Sequence, residues 1–333
     1  MSGNRVPMRQ WTGFLLALAV FSGCAPARDL LRTDIQPDIG PVIELALEPA
    51  PGMGQGTGLD IGSGMGPGIV AGSSSEDGFL WLLDSASGQV LVLHPATASV
   101  RRVPLVDASG RTLLDPVSVD ASGGLSLLVA DRSSSQVLRY DRKGALMSVH
   151  SIPDPGPFVD HASMVDGQEG VRFRFERMSA TAGNGFAVLD EASTGLAIVD
   201  PHAAEVRFVD LPQTVTALAA GGDLLLLVDE SASSIYLVAD HAVLEGSVHL
   251  PAAESPIRVA DLAFQDDDLF ILGAEGELWM IGNLLQPGPD RALQLRRFKS
   301  AGPVRGEWRG LVALHDDLWW IGSEGVFRSS RPR

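Results

Sequence analysis

Six stretches of this chain share one layout, and that recurrence limits the fold more than any single motif. Each is a short strand, a turn, an apolar strand ending in Asp or Gly, a small polar turn and a further strand. They read FLWLLDSASGQVLVLHP from Phe79, LSLLVADRSSSQVLRYD from Leu125, GFAVLDEASTGLAIVD from Gly185, LLLLVDESASSIYLVAD from Leu224, LFILGAEGELWMIG from Leu269 and LWWIGSEGVFRSS from Leu318. Anchored on Asp84, Asp131, Asp190, Asp229, Gly273 and Gly322, they are spaced 47, 59, 39, 44 and 49 residues apart. In the first four, an aliphatic residue (Val90, Val137, Leu196, Ile235) follows the Asp across a Ser/Ala/Gly-rich turn, so the strand folds back on the next. Helical periodicity is almost absent.

Several strands per repeat, at a period of about 40 to 50 residues, signal a β-propeller. The second repeat carries Asp131, Val137, Tyr140 and Asp141 and resembles the NHL-type repeat of six-bladed propellers, with Ser134 and Gln136 where that family has Asn and Arg. The resemblance covers most of residues 68–329. It implies an all-β fold of six four-stranded blades and brings no catalytic residue with it, because propellers host many unrelated functions. EVRFVDLP from Glu205 and LEGSVHLP from Leu244 read as fourth strands, each closed by a proline. The sixth repeat ends near Ser329 after three strands. VIELALE, Val42–Glu48, is therefore expected to complete the last blade, giving a propeller over residues 42–329 without an exposed closing edge.

Between that strand and the first repeat lies GMGQGTGLDIGSGMGPG, residues 52–68. Every glycine in it is even-numbered, which excludes the dinucleotide fingerprint, and the only lysines of the chain, Lys143 and Lys299, supply no phosphate loop. It reads as a connector that crosses one blade edge, roughly 15–20 Å, with length to spare. Met53 and Met65 offer thioethers to a soft metal or an apolar partner as the alternative reading.

The N-terminus has Arg5 and Arg9, an apolar run from Phe14 to Val20 that is too short to span a bilayer, and then Ser22, Gly23 and Cys24, the only cysteine. This is the pattern of a secretory signal over residues 1–23. The Ser-Gly-Cys ending resembles the lipobox of bacterial lipoproteins, with Phe21 in place of the usual leucine. The resemblance implies lipidation of Cys24, a linker over 24–41, and, with Ala25 next, anchoring at an outer membrane facing the periplasm. Several acyl chains on one cysteine make a stable anchor where one chain does not.

The chain has 25 basic and 41 acidic residues, a formal charge of −16. Such a surface repels nucleic acid and anionic membrane. Some six-bladed propellers are metal-dependent lactonases resembling gluconolactonase, which hold calcium or zinc with Glu, Asn and Asp. Asn4, Asn184 and Asn283 are the only asparagines here, and none reads as a channel-lining residue. A Ca2+ ion in the channel stays open, since oxygen ligands are plentiful. The seven histidines show no ligand spacing, and no nucleophile elbow is present.

Two features carry functional expectations. Arg177, Arg258 and Arg309 stand at similar places before three inner strands, with Glu176 and Glu307 beside two of them. If these strands begin at one face, the guanidinium groups converge on a channel mouth suited to an anionic ligand or a partner's carboxylate, or else pair internally and hold the blades. The insertion PDPGPFVDHASMVDGQEGVRFRF, residues 153–175, is long for a compact fold; its Asp160, His161, Asp166 and Glu169 could meet a cation or a partner. The reading is an envelope protein that binds other envelope proteins as an assembly platform. A metal-dependent hydrolase and a binder of small anions are the alternatives.

Overall fold

The computed structural model describes residues 45–46 and 68–331, apart from 98, 122–125, 154–172, 182–183, 192–194, 203–204, 212–213, 222–223, 230–233, 240–243, 250–257, 283, 285–293, 299, 302–306 and 324. The signal segment, Cys24, the 24–41 linker, Met53, Met65, Asp160, His161, Asp166, Glu169 and Asn283 therefore lie outside the described residues.

Among the described residues, six antiparallel sheets follow one another along the chain, five of four strands and the last of three. The first consists of Ile69–Ser74, Leu80–Asp84, Gln89–His94 and Ser99–Pro104, paired in that order. The first strands of the other five are Pro116–Asp120, Phe175–Ala180, Val215–Gly221, Val259–Gln265 and Trp308–Leu314. The second strands are continuous apolar runs such as Leu224–Asp229 because both of their faces are covered by neighbouring sheets. Outer strands are more open to water, as Ser99–Pro104 is with the consecutive Arg101 and Arg102 both exposed.

The repeat anchors Asp84, Asp131, Asp190 and Asp229 each end a second strand. There the carboxylate organises the turn: Asp131 accepts from the Ser134 amide (3.2 Å) and from the hydroxyls of Ser133 (2.7 Å) and Ser134 (2.6 Å), while its other oxygen accepts from the Asp115 amide (2.9 Å). A single side chain thus closes one turn and ties the entry of the sheet's first strand to it.

Apolar clusters sit between successive sheets. Leu83, Val90 and Tyr140 join the first to the second, Phe186, Val188 and Ala130 the second to the third, and Leu189 and Leu227 the third to the fourth. Leu226 and Ile271 join the fourth to the fifth, Phe270 and Trp320 the fifth to the sixth, and Leu80, Leu82, Trp319 and Ile321 the sixth back to the first. Each fully buried side chain of this size contributes about 1.5–3 kcal/mol. At the last junction Gly72 is required by close approach, since a Cβ there would lie 2.6 Å from Ile321 Cδ1. The Ser74 hydroxyl donates across the same junction to the Ala313 carbonyl at 2.9 Å.

The closing strand differs from expectation. Leu45–Ala46 runs near Gly325–Ser330, yet its ladder is with Ser300–Ala301, in parallel, and the sixth sheet keeps three strands among the described residues. Apolar alternation marks VIELALE as strand-forming but does not choose among the edges open to it, and Ser300–Ala301 presents a competing edge.

Candidate functional site

The first strand of every one of the six sheets carries one extra residue against its neighbour. The pairing shifts between Ile69 and Ala71, Pro116 and Ser118, Phe175 and Arg177, Val215 and Ala217, Val259 and Asp261, and Trp308 and Gly310. The bulged residues are Val70, Val117, Glu176, Thr216, Ala260 and Arg309. A bulge re-aims its side chain out of the normal alternation. All six line one cavity of about 470 Å³ at the strand starts. Farther along the same strands a smaller cavity of about 120 Å³ is lined by residues from all six first strands, including Ser73, Ser118, Asp120 and Asp261. Arg177 lines both cavities and stands between them.

Arg177, Arg258 and Arg309 all belong to the mouth lining, and so do Glu176 and Glu307. Their heights relative to the bulges differ. Arg258 lies two residues before its bulge, Arg309 occupies one, and Arg177 follows one. Position therefore decides which partner each meets.

Arg177 shares its level with Asp261, each being the residue after a bulge, and the two meet from the third and fifth sheets at 3.4 Å. The guanidinium also donates to the carbonyls of Ala260 (2.6 Å) and Arg309 (3.3 Å), so one side chain links three sheets. Asp261 in turn accepts from the Leu311 amide at 2.9 Å. Burial is the largest influence on this carboxyl and raises its pKa above the ordinary value, while Arg177 and the amides of Leu311 and Leu262 act the other way. Gly310 packs closely on the second strand of its own sheet, since a Cβ there would stand 3.1 Å from Ile321 Cδ1.

Arg258 and Glu307, two residues before the bulges of the fifth and sixth sheets, pair with each other at 3.5 Å. Glu307 is thus the partner of Arg258, although it is nearer to Arg309 in sequence. A third charged group in the lining was missed: Arg132 follows the anchor Asp131 and pairs with Asp115 at 2.8 Å and with Glu191 at 3.7 Å. Its pKa is raised, chiefly by the hydrogen bond to Asp115. The visible signal was its place directly after a repeat anchor, facing Asp115 just before Pro116.

Deeper in the channel, polar side chains latch one first strand to the next. Asp120 accepts from the Ala180 amide (2.8 Å), Ser118 from the Met178 amide (3.1 Å) and Ser73 from the Ala121 amide (3.0 Å). These groups replace the ladder partners that diverging inner strands lack. Among the described residues no group of three or more His, Cys, Asp or Glu side chains is placed to hold a metal ion. Asn184 sits in a turn at φ 65° and its carbonyl accepts from Arg139, away from both cavities.

No family model matches the chain, and no curated protein matches it. Solved structures do. A streptogramin B lyase is similar at TM-score 0.53 and 12% identity, over 80% of this chain and 94% of its own. A catalytically inactive virginiamycin B lyase from Staphylococcus aureus, solved with quinupristin, is similar at TM-score 0.53 and 10% identity, over 80% and 82%. Hydrazine synthase of Kuenenia stuttgartiensis is similar at TM-score 0.50 and 12% identity, over 84% and 99%. These are β-propeller-type folds, and this chain has that type of fold. At such identities the likeness concerns architecture alone.

Proposed function

We propose that the chain is a six-bladed β-propeller, exported and lipid-anchored through Cys24 to the outer membrane on its periplasmic side, and that it acts as a platform binding other envelope proteins at the mouth. The six-blade count is supported by the six successive sheets and by the packing of the sixth on the first. The anchor is supported by the Ser22-Gly23-Cys24 ending of the apolar signal.

The observation that carries the binding role is the mouth itself. Apolar Val70, Val117 and Ala260 and charged Arg132, Glu176, Arg258, Glu307 and Arg309 line one hollow, the mixture of apolar and charged groups that protein interfaces carry. The first strands of all six sheets bring residues to this one hollow, so the sheets hold its lining in place.

The test is crosslinking in membranes of the native host, followed by affinity isolation. A stoichiometric envelope partner crosslinked through residues at the mouth is expected, and Cys24→Ala should move the protein from the membrane to the soluble fraction. Recovery of the protein alone would count against the platform, and unchanged membrane retention of the Cys24 variant would count against the lipid anchor.

A further inference from the structure

We propose that the mouth receives a lysine side chain of a partner protein, its ammonium held between Glu176 and Thr216 and its stem laid along Val117 and Ala260. The inference rests on the reading of the mouth as a protein-binding surface and names the side chain that enters it.

Charge comes first, with every partner included. The lining holds Arg132, Arg177, Arg258 and Arg309 together with the carboxylates Asp115, Glu176 and Glu307. Arg177 pairs with Asp261, Arg132 with Asp115 and Glu191, and Arg258 with Glu307, while Arg309 has an interaction of its own. Four guanidinium groups are thus set against five carboxylates, and none of the four is open to a ligand anion. Glu176 is the group left over. Among the described residues no cation stands within ion-pair distance of it, and of the carboxylates that raise the Arg132 pKa it has the weakest influence. In a chain of formal charge −16, a carboxylate in that position suits a cation brought from outside.

Position supplies a second group. Glu176 and Thr216 are the bulged residues of the third and fourth sheets, which pack on each other, so both stand at one level of the hollow. The Thr216 hydroxyl oxygen is buried with no hydrogen-bond partner among the described residues. A polar atom in that state is accounted for by a ligand that brings the missing bond, which the hydroxyl meets by turning about χ1. The two Glu176 oxygens and this hydroxyl are three acceptors, matching the three donors of a lysine ammonium. A guanidinium spreads five donors over a rigid plane and suits the set less well. On either side, the bulged residues Val117 and Ala260 are apolar and fit a methylene stem. An N-terminal ammonium sits on the backbone itself and has no such stem.

Shape sets how far the group enters and what carries it. The hollow of about 470 Å³ lies in the range of about 300–1,000 Å³ that suits small ligands, room for a long side chain and not for a folded domain. Arg177 closes its inner end, bonded to Asp261 and to the carbonyls of Ala260 and Arg309, so an entering side chain stops at the bulge level. Leu114, immediately before Asp115 and Pro116 of the lining, is 85% exposed. A free amine would leave that leucine in water, whereas a protein that inserts a lysine can cover it with a neighbouring apolar residue.

The experiment screens the full mature chain against two libraries of capped heptapeptides with random flanks, one with a central lysine and one with that lysine acetylated. Peptides selected from the first are expected to carry an apolar residue beside the lysine and to bind about tenfold or more tighter than their acetylated forms. Glu176→Gln should weaken them about as much with circular dichroism melting unchanged, because no ion pair is lost, and Thr216→Val should weaken them to a smaller extent. The contrast between lysine and acetyl-lysine is read on the unaltered chain and needs no variant to fold. Equal enrichment of the acetylated library, no enrichment at all, or full affinity in Glu176→Gln overturns the inference. Butylamine competing as strongly as the peptide also overturns it, in favour of a free amine. A partner crosslinked at the mouth with no lysine there would sink this inference and leave the platform standing.

Discussion

The floor and the rim of the mouth are built from the same pair of groups, an arginine and a carboxylate, at almost the same distance. Arg177 and Asp261 meet at 3.4 Å with side chains 20% and 13% exposed; Arg258 and Glu307 meet at 3.5 Å with side chains 75% and 55% exposed. Desolvation separates them. At the floor both charges have left water, so each depends on the other and on fixed backbone groups. At the rim water screens both, and the pair is free to exchange partners. Distance alone would have equated a structural strut with a recruitable binding group.

The largest expected effect breaks the floor. Arg177→Ala leaves Asp261 buried without its cation and removes two bonds between sheets, and should cost about 3–5 kcal/mol in urea unfolding. A loss as small as that of a surface substitution would erase the distinction between floor and rim.

A smaller effect sharpens the comparison through pH. Burial holds the Asp261 carboxyl above its ordinary value of 3.8, so the folded state keeps this proton more tightly than the unfolded chain does. The stability contributed by this group is complete below that ordinary value and is lost as pH rises through the raised one. Asp261→Asn removes the titration while keeping an acceptor for the Leu311 amide. The stability of wild type relative to this variant should therefore decline as pH rises from 3 to 7, measured by unfolding at each pH. A difference that does not vary with pH would mean that Arg177 and the two amides fully offset burial.

The smallest effect is at the rim. Arg258→Ala should change unfolding free energy by no more than about 1 kcal/mol, because its pair is exposed. The same substitution should weaken binding at the mouth, so stability and binding move independently at the rim and together at the floor.

Much of the architecture was legible in residue order. The anchors Asp84, Asp131, Asp190 and Asp229 do end second strands, and the apolar runs before them are buried, because turn chemistry and apolar periodicity act over a few residues. The bulges were not legible. Val70 and Ala71, or Val259 and Ala260, are consecutive small apolar residues, and nothing in their identity says that one of them is unpaired. The missed partner of Arg177 has the same origin. Asp261 stands only three residues after Arg258, but it lies 84 residues from Arg177, and only the arrangement of the first strands puts both at one level. The strand at Leu45–Ala46 was recognised as a strand and assigned to the wrong edge, since strand propensity belongs to the segment and pairing belongs to the edge it finds.

The sequence by itself determined the repeating strands, their turns, the acid excess and the arginines near the strand starts, all properties of neighbours along the chain. Tertiary structure alone decided which arginine is sealed and which is exposed. A one-residue bulge sets the height of each side chain, and height sets both its partner and its access to water.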